Sequence, residues 1–448
     1  MSSHHPPPSF LDLVVDPDPL PAPAHLSLVP SSREQPAALE TPQPLDFYDF
    51  PNKPQRPGQA PPCTLANVRY MLLHNHVQVG YDVVKKKLLI TVRGHAGSPD
   101  NFDNVAMTHI FSLAALHGMQ TGHLAAMVEA IGDANQRNSV ADWIMSQPHD
   151  GQDRIPAICA TLVQRPAFPD ALKKIIVRKW LLSAVAAALK PVGFHTRGVL
   201  TLQGEQSIGK TAWIKALVSD PALRQQVIKV DHHMDPGSKD SLLTAITHWI
   251  VEMGELDSSF KKDVARLKGF LTTDQDKVRR PYARVDSEYP RRTVFAATVN
   301  DENFLVDPTG NTRFMTIPVV SIDHQHGIDM QQVFAQLAVE FQSGSQWWLT
   351  GPEEEWLEEE NKTHRAPSVI RDLLTSQLDL ADVSNPELKA KTASQVLKAL
   401  GIGHPTNSQA RECGGILREL LGEPKMVHSQ PTWRVPLSDG TEGFYQQF

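Results

Sequence analysis

The clearest chemistry lies in Gly204-Glu205-Gln206-Ser207-Ile208-Gly209-Lys210-Thr211, a full match to GxxxxGK[ST]. Its glycines would let backbone N–H groups converge on phosphate oxygens. The helix expected after Gly209, with Ala212 in its first turn, would add a partial positive charge. Lys210 would meet the β- and γ-phosphates of ATP, and Thr211 would ligate Mg2+. Downstream, the apolar run of Trp249-Ile-Val-Glu252-Met-Gly-Glu255 ends in acids. A carboxylate at the carboxyl edge of a sheet is what the same chemistry requires. Glu252 is therefore the candidate for the metal or water-activating role, with Glu255 as a second carboxylate. Acids end strands in many folds, so this run gains meaning only from the loop before it. Asn300, at the end of Thr293–Asn300, would orient the attacking water or sense the γ-phosphate, or simply open a turn with Asp301. Arginines are supplied by Arg279, Arg280, Arg291, Arg292 and Arg313. One of them delivered to a neighbour's γ-phosphate would be a large electrostatic effect, and Arg313 lies where such a finger is expected. The same basic stretch would equally suit nucleic-acid phosphate or plain solvation.

These residues need a sheet edge to position them. From Gly198 onward short apolar strands alternate with helices, the pattern of an α/β domain. Gly198–Gln203, Val227–Val230, Trp249–Met253 and Thr293–Asn300 read as strands. Helices are expected after Lys210, over Ser238–Thr247 and over 329–349, the last ending in Gln346-Trp-Trp-Leu349. Residues 65–195 read as a mostly helical domain, with apolar spacing of three and four over His109–Leu116, Leu124–Asn135 and Ala171–Leu189. One strand signal, Lys87–Arg93, stands near its front, and Asp150–Arg154 reads as a turn. The P-loop domain is then 196–350, followed by an acidic helical connector over 351–383. Residues 384–437 give helix, turn, helix, strand, the outline of a winged helix, with Thr392 as a cap.

Composition narrows the class. Sixteen of the 35 prolines fall in residues 1–62. Such a segment propagates neither helix nor ladder and has few apolar residues to offset its ordering entropy, so a disordered arm is expected there. The chain's 448 residues are 41% hydrophobic and 21% charged, ordinary for a folded protein. Cys63, Cys159 and Cys413 are too scattered for a disulfide framework or a zinc ribbon. The absence of a long apolar run or secretory start implies a cytoplasmic protein with no membrane partner. The net charge of −7 hides a +5 stretch over 261–292 and a −6 stretch over 351–382. Local patches rather than the total decide partners.

The ordered set resembles the virulence-associated protein E family, P-loop ATPases of phages and mobile elements related to superfamily III helicases. The P-loop and the Glu252 strand are followed by Lys268-Gly-Phe270, Arg279-Arg-Pro-Tyr282, Asn300 and Gly310-Asn-Thr-Arg-Phe314. Ala141–Ile144, Asp150–Arg154, Lys179–Val185 and Trp347–Thr350 extend the similarity over roughly 65–437. The resemblance implies an AAA+-like, superfamily III helicase-type α/β core. It also implies a hexameric ring with 3′–5′ polarity, and single- or double-stranded DNA as partner. Lys210 and Thr211 match its nucleotide-binding pair, Glu252 and Glu255 its acids, Asn300 its polar sensor and Arg313 its finger-like arginine. The family usually has a second arginine where Thr312 stands; if that position is the finger, trans-activation is not expected here, and if Arg313 is, it is. Some relatives carry a primase upstream. Here the Pro-rich arm lacks acids suited to nucleotidyl transfer, so a separately encoded primase or replication protein is expected as partner. The alternatives are an ATP-switched origin-binding or loading protein that unwinds nothing, and a P-loop small-molecule kinase.

Overall fold

The computed structural model describes residues 44–93, 101–235, 237–254, 267, 269–271, 273–278, 287–305, 311–365, 368–379, 382, 385 and 387–437. Glu255, Lys268, Arg279, Arg280 and Gly310 lie outside the described residues. The chain forms two compact units, one of Met1–Gln78 with Ile90–Met127 and one of Val79–Leu89 with Val128–Phe448.

In the first unit, α1 (Leu65–His74) starts at Thr64, whose side chain accepts the Asn67 N–H. β1 (Val77–Asp82) and β2 (Lys87–Val92) follow, each divided between the two units because Val79–Leu89 belongs to the second, and then α2 (Phe102–Leu116) of the first. The expectation of a disordered arm over 1–62 fails for residues 44–62. Phe50 is fully buried, its ring 5.1 Å from Tyr70 and 5.5 Å from His117. The Leu45 N–H donates to His117 Nε2 at 3.0 Å, and Asn67 Nδ2 donates to the carbonyls of Asn52 and Pro62. Proline prevents regular structure, but a buried ring and satisfied backbone groups still fix an irregular segment. The rest of the expected arm, 1–43, lies outside the described residues.

After α3 (Leu124–Asp133), the second unit takes in β3 (Gln136–Arg137), α4 (Ser139–Ile144), α5 (Ile155–Ala160), β4 (Leu162–Gln164) and α6 (Asp170–Leu189). Next come β5 (Val199–Gln203), α7 (Lys210–Ala216), α8 (Pro221–Val227), β6 (Ile228–Lys229), α9 (Lys239–Ile246) and β7 (Ile250–Met253). A hairpin of β8 (Gln275–Val278) and β9 (Ser287–Pro290) precedes β10 (Val294–Val299) and β11 (Phe314–Ile322). The main sheet has the order β4-β11-β5-β10-β7-β6. Five strands are parallel, and β4 is antiparallel to β11. A mixed α/β fold on a parallel sheet thus stands.

The expected domain boundary at 195/196 does not. β4 is a strand of the sheet, and α6 is buried on every face from Trp180 to Ala188. A helix apolar all round belongs inside a core, so 128–195 folds with the P-loop segment. Three buried indoles fix it there: Trp180 Nε1 donates to the Phe295 carbonyl, Trp249 Nε1 to Ala184, and Trp213 Nε1 to Thr161 Oγ1. Asp150–Arg154 is a loop between α4 and α5, held by buried glutamines of α10 (Met330–Gln342). Gln332 Oε1 accepts from the Asp150 N–H and Gln336 Oε1 from Arg154. α10 also stops earlier than expected. Gly344, at φ +91°, ends it, and Gln346–Leu349 are not helical.

The acidic segment is docked on the sheet rather than connecting domains. α11 (Gly351–Asn361) opens on a capping box of Thr350 and Glu353. Its buried Asn361 donates through Nδ2 to the carbonyls of Asn311 and Phe314 at 3.0 and 2.9 Å. The C-terminal segment packs α12 (Val369–Gln377), α13 (Ala393–Ala399) and α14 (Asn407–Leu421) with a three-stranded antiparallel sheet. That sheet is ordered β12 (Ala390–Lys391), β14 (Gln430–Arg434), β13 (Lys425–Val427). Thr392 caps α13. His428 and Ser429, both at positive φ, turn the β13–β14 hairpin.

Between α9 and β7, burial pushes His248 down to about 4, with Lys85 adding to the effect. The unfolded chain, with its histidine near 6.5, binds that proton more readily. The stability contributed by this histidine is therefore fully present above about pH 6.5 and is lost as pH falls toward 4. Urea midpoints should drop across that window, and His248→Leu should reduce the slope. An unchanged slope in that variant would refute the assignment.

Candidate nucleotide site

The chain runs from β5 out to the edge strand β6, returns through β7 and β10, and then crosses to β11 on the other side of β5. Ligands of open α/β sheets bind at such a reversal, outside the carboxyl ends of the strands. The segment from Gly204 to Lys210 leaves β5 at that place. Ser207 and Gly209 have φ of +68° and +96°, a backbone path that turns successive N–H groups inward. Neither flanking glycine has room for a side chain. A Cβ on Gly204 would fall 2.3 Å from the Val319 carbonyl oxygen, and one on Gly209 2.7 Å from His324 Nδ1.

Lys210 is 7% exposed. Its ammonium donates to the carbonyls of Gly204 and Glu205, both at 2.7 Å, and to Asn300 Oδ1 at 2.9 Å. Burial pushes its pKa down, and Glu252 opposes that shift. Phosphate oxygens in place of these neutral acceptors would be stronger partners for a desolvated cation. Asn300 thus stands at the carboxyl end of β10 against the lysine.

Glu252, on β7, is fully buried. Its Oε1 accepts from Thr298 Oγ1 at 2.5 Å and Thr211 Oγ1 at 3.4 Å, and its Oε2 from the Asp231 N–H at 2.7 Å. Lys210, Thr211, Glu252 and Asn300, spread over ninety residues of sequence, therefore share one edge. Thr211 and Glu252 fit Mg2+, which typically takes one or two protein oxygens plus substrate phosphates and waters. The remaining members of the expected nucleotide loop, Glu205, Gln206, Ser207, Ile208 and Ala212, supply its backbone.

Four residues at this edge escaped the sequence reading. Thr298 is the one hydroxyl in the otherwise apolar β10. Asp231 ends the β6 run as Glu252 closes the β7 run, a parallel that could have been noticed. Gln203, 2% exposed, has a buried Oε1 without a hydrogen-bond partner among the described residues. His324 had no local signal, because it reaches Gly209 only through the pairing of β11 with β5.

The arginines divide differently from expectation. Arg291 is buried against Asp276, with two nitrogen–oxygen contacts of 2.6 Å, and stacks 4.4 Å from the Phe270 ring centroid. Arg292 donates to the carbonyls of Ala188, Lys190 and Pro191 at the end of α6. Both are internal fasteners, not finger or nucleic-acid contacts. Arg313 ends the short helical turn before β11, whose Phe314 pairs with Val199 while Pro318 pairs with Gln203. It therefore stands at the amino edge of the sheet, roughly 20 Å along the strand from the loop of its own chain.

Residues 144–366 match the family described as virulence-associated protein E-like domain. No curated protein matches the chain. Solved structures titled as the apo NrS-1 C terminal region align with 83% of this chain. The first, spanning 305–718 of that protein, is 12% identical with 98% of its chain covered and a TM-score of 0.35. An A form is 13% identical with 99% covered and a TM-score of 0.34.

Proposed function

The chain belongs to the virulence-associated protein E-like family through residues 144–366, and on that footing we propose that it is a nucleic-acid-dependent ATPase. We place it as a ring-forming DNA helicase in the replication of a phage or other mobile element. The observation that supports ATP hydrolysis is the convergence of Lys210, Thr211, Glu252 and Asn300 on one sheet edge. Lys210 would grip the β- and γ-phosphates, and Asn300 holds its ammonium in place. Thr211 and Glu252 would hold Mg2+, which when bound neutralises charge developing on the phosphates. The position of Arg313 supports assembly. An arginine at the far edge of its own sheet is out of reach of its own chain's nucleotide, so a finger role for it requires a nucleotide held by another copy. The C-terminal helices and hairpin, with a local charge of +3 over 384–437, supply the DNA contact in this reading.

The test compares phosphate release with and without single-stranded DNA, and adds a forked duplex. Stimulated turnover with strand separation is the expected result. Turnover that ignores DNA would sink the nucleic-acid dependence. Stimulation without unwinding would leave an ATP-switched loading protein.

A further inference from the structure

Glu252 has little left to offer a reacting water. Three protein donors fill most of the roughly four acceptor positions of a carboxylate, the position left over is the one a metal would take, and no part of the side chain is exposed. Asp231, two residues beyond the end of β6 on the same edge, is exposed. Its φ of +52° lies in the left-handed region, which aspartate adopts more readily than most side-chain-bearing residues. Two contacts impose that conformation. The Asp231 N–H is spent on Glu252 Oε2, and the neighbouring His232 N–H donates to the Glu252 carbonyl at 3.0 Å. The Asp231 carboxylate lies directly against Gly254, just past the end of β7, where a Cβ would fall 2.2 Å from Oδ1. Backbone and glycine together tie an accessible carboxylate to the buried one.

We propose that Asp231 is the carboxylate that orients the attacking water and accepts its proton, while Glu252 is the buried anchor. This rests on the ATPase reading above. In the step, the water oxygen forms a bond to the γ-phosphorus as the bond from that phosphorus to the β,γ-bridging oxygen breaks. The leaving ADP keeps the electron pair, and the water proton passes to Asp231 and then to solvent. Sequence alone points instead to Glu252 for activating the water, with Glu255 as a second carboxylate, and to Asn300 for orienting it.

Asp231→Asn is a clean probe, because Asn also tolerates left-handed backbone and keeps the amide that holds Glu252. The full chain and its Asp231→Asn, Glu255→Gln and Lys210→Ala variants are titrated with a fluorescent ATP analogue in Mg2+ and assayed for phosphate release. Asp231→Asn should bind the analogue within about threefold of wild type and release phosphate at least about a hundredfold more slowly. It should also carry unhydrolysed ATP through gel filtration. Turnover within about threefold of wild type, or binding lost together with turnover, overturns the assignment. A loss confined to Glu255→Gln also overturns it. If Lys210→Ala binds and turns over like wild type, the ATPase reading itself fails and takes this inference with it.

Discussion

Lys210→Ala is expected to weaken ATP binding by at least about a hundredfold and to remove turnover with it. Each charge-assisted hydrogen bond from a buried ammonium to phosphate is worth about 1.5–3 kcal/mol, and Lys210 has three donors to give. The lost side chain has no substitute among the described residues nearby. Asn300 offers an amide without charge, and Arg313 is at the opposite end of the strands. Folding should suffer far less. The substitution removes a desolvated cation along with its three carbonyl contacts, so a net loss of about 1–2 kcal/mol is the expected scale. Nucleotide titration and thermal unfolding of the same preparation separate the two effects. A variant that binds as wild type does would contradict the assignment of the loop. A variant that unfolds outright would make Lys210 a structural residue.

Arg291→Ala should destabilise the chain by about 3–5 kcal/mol, the usual cost of leaving one member of a buried ion pair alone. Arg291 and Asp276 are almost fully buried, at 0% and 5% side-chain exposure. The guanidinium also packs on Phe270 and lies 5.5 Å from the Phe295 ring centroid. Removing it strands the Asp276 carboxylate and opens space beside two aromatic rings. Urea unfolding reads the loss, and Arg291→Met combined with Asp276→Leu should regain much of it, since matched apolar replacements spare the charge. The outcome also decides what the basic stretch is for. If Arg291→Ala folds like wild type but loses stimulation by DNA, then the arginine faces nucleic acid and the buried pair is not its role.

The C-terminal segment shows how local signals translate into structure. Thr392 and Thr406 each begin a helix with a capping box completed by Gln395 and Gln409. Spacing alone predicts those starts, because a cap depends on residues three apart in sequence. The prolines of residues 44–62 mislead for the complementary reason. They report correctly that no helix or strand forms, yet whether Phe50 finds a pocket depends on Tyr70 and His117, twenty and more residues away.

The same division holds at the candidate site. The phosphate loop was legible because its chemistry is carried by a contiguous run of backbone, with glycines where side chains cannot fit. Strand β10 and its terminal Asn300 were legible as elements, since an apolar run bounded by polar residues is a local pattern. The sequence by itself therefore determined the loop, most strands of the parallel sheet, and the family. Strand order, and with it the neighbours of each strand end, was decided by tertiary structure alone. Parallel pairing sets Asp231 beside Glu252, Thr298 beneath it and Asn300 against Lys210, and it sends Arg313 to the far edge. It also turns Arg291 and Arg292 from candidate ligand contacts into internal fasteners. Side-chain identity states what a residue can do, but desolvation and distance are properties of the packed sheet, and no spacing rule encodes them.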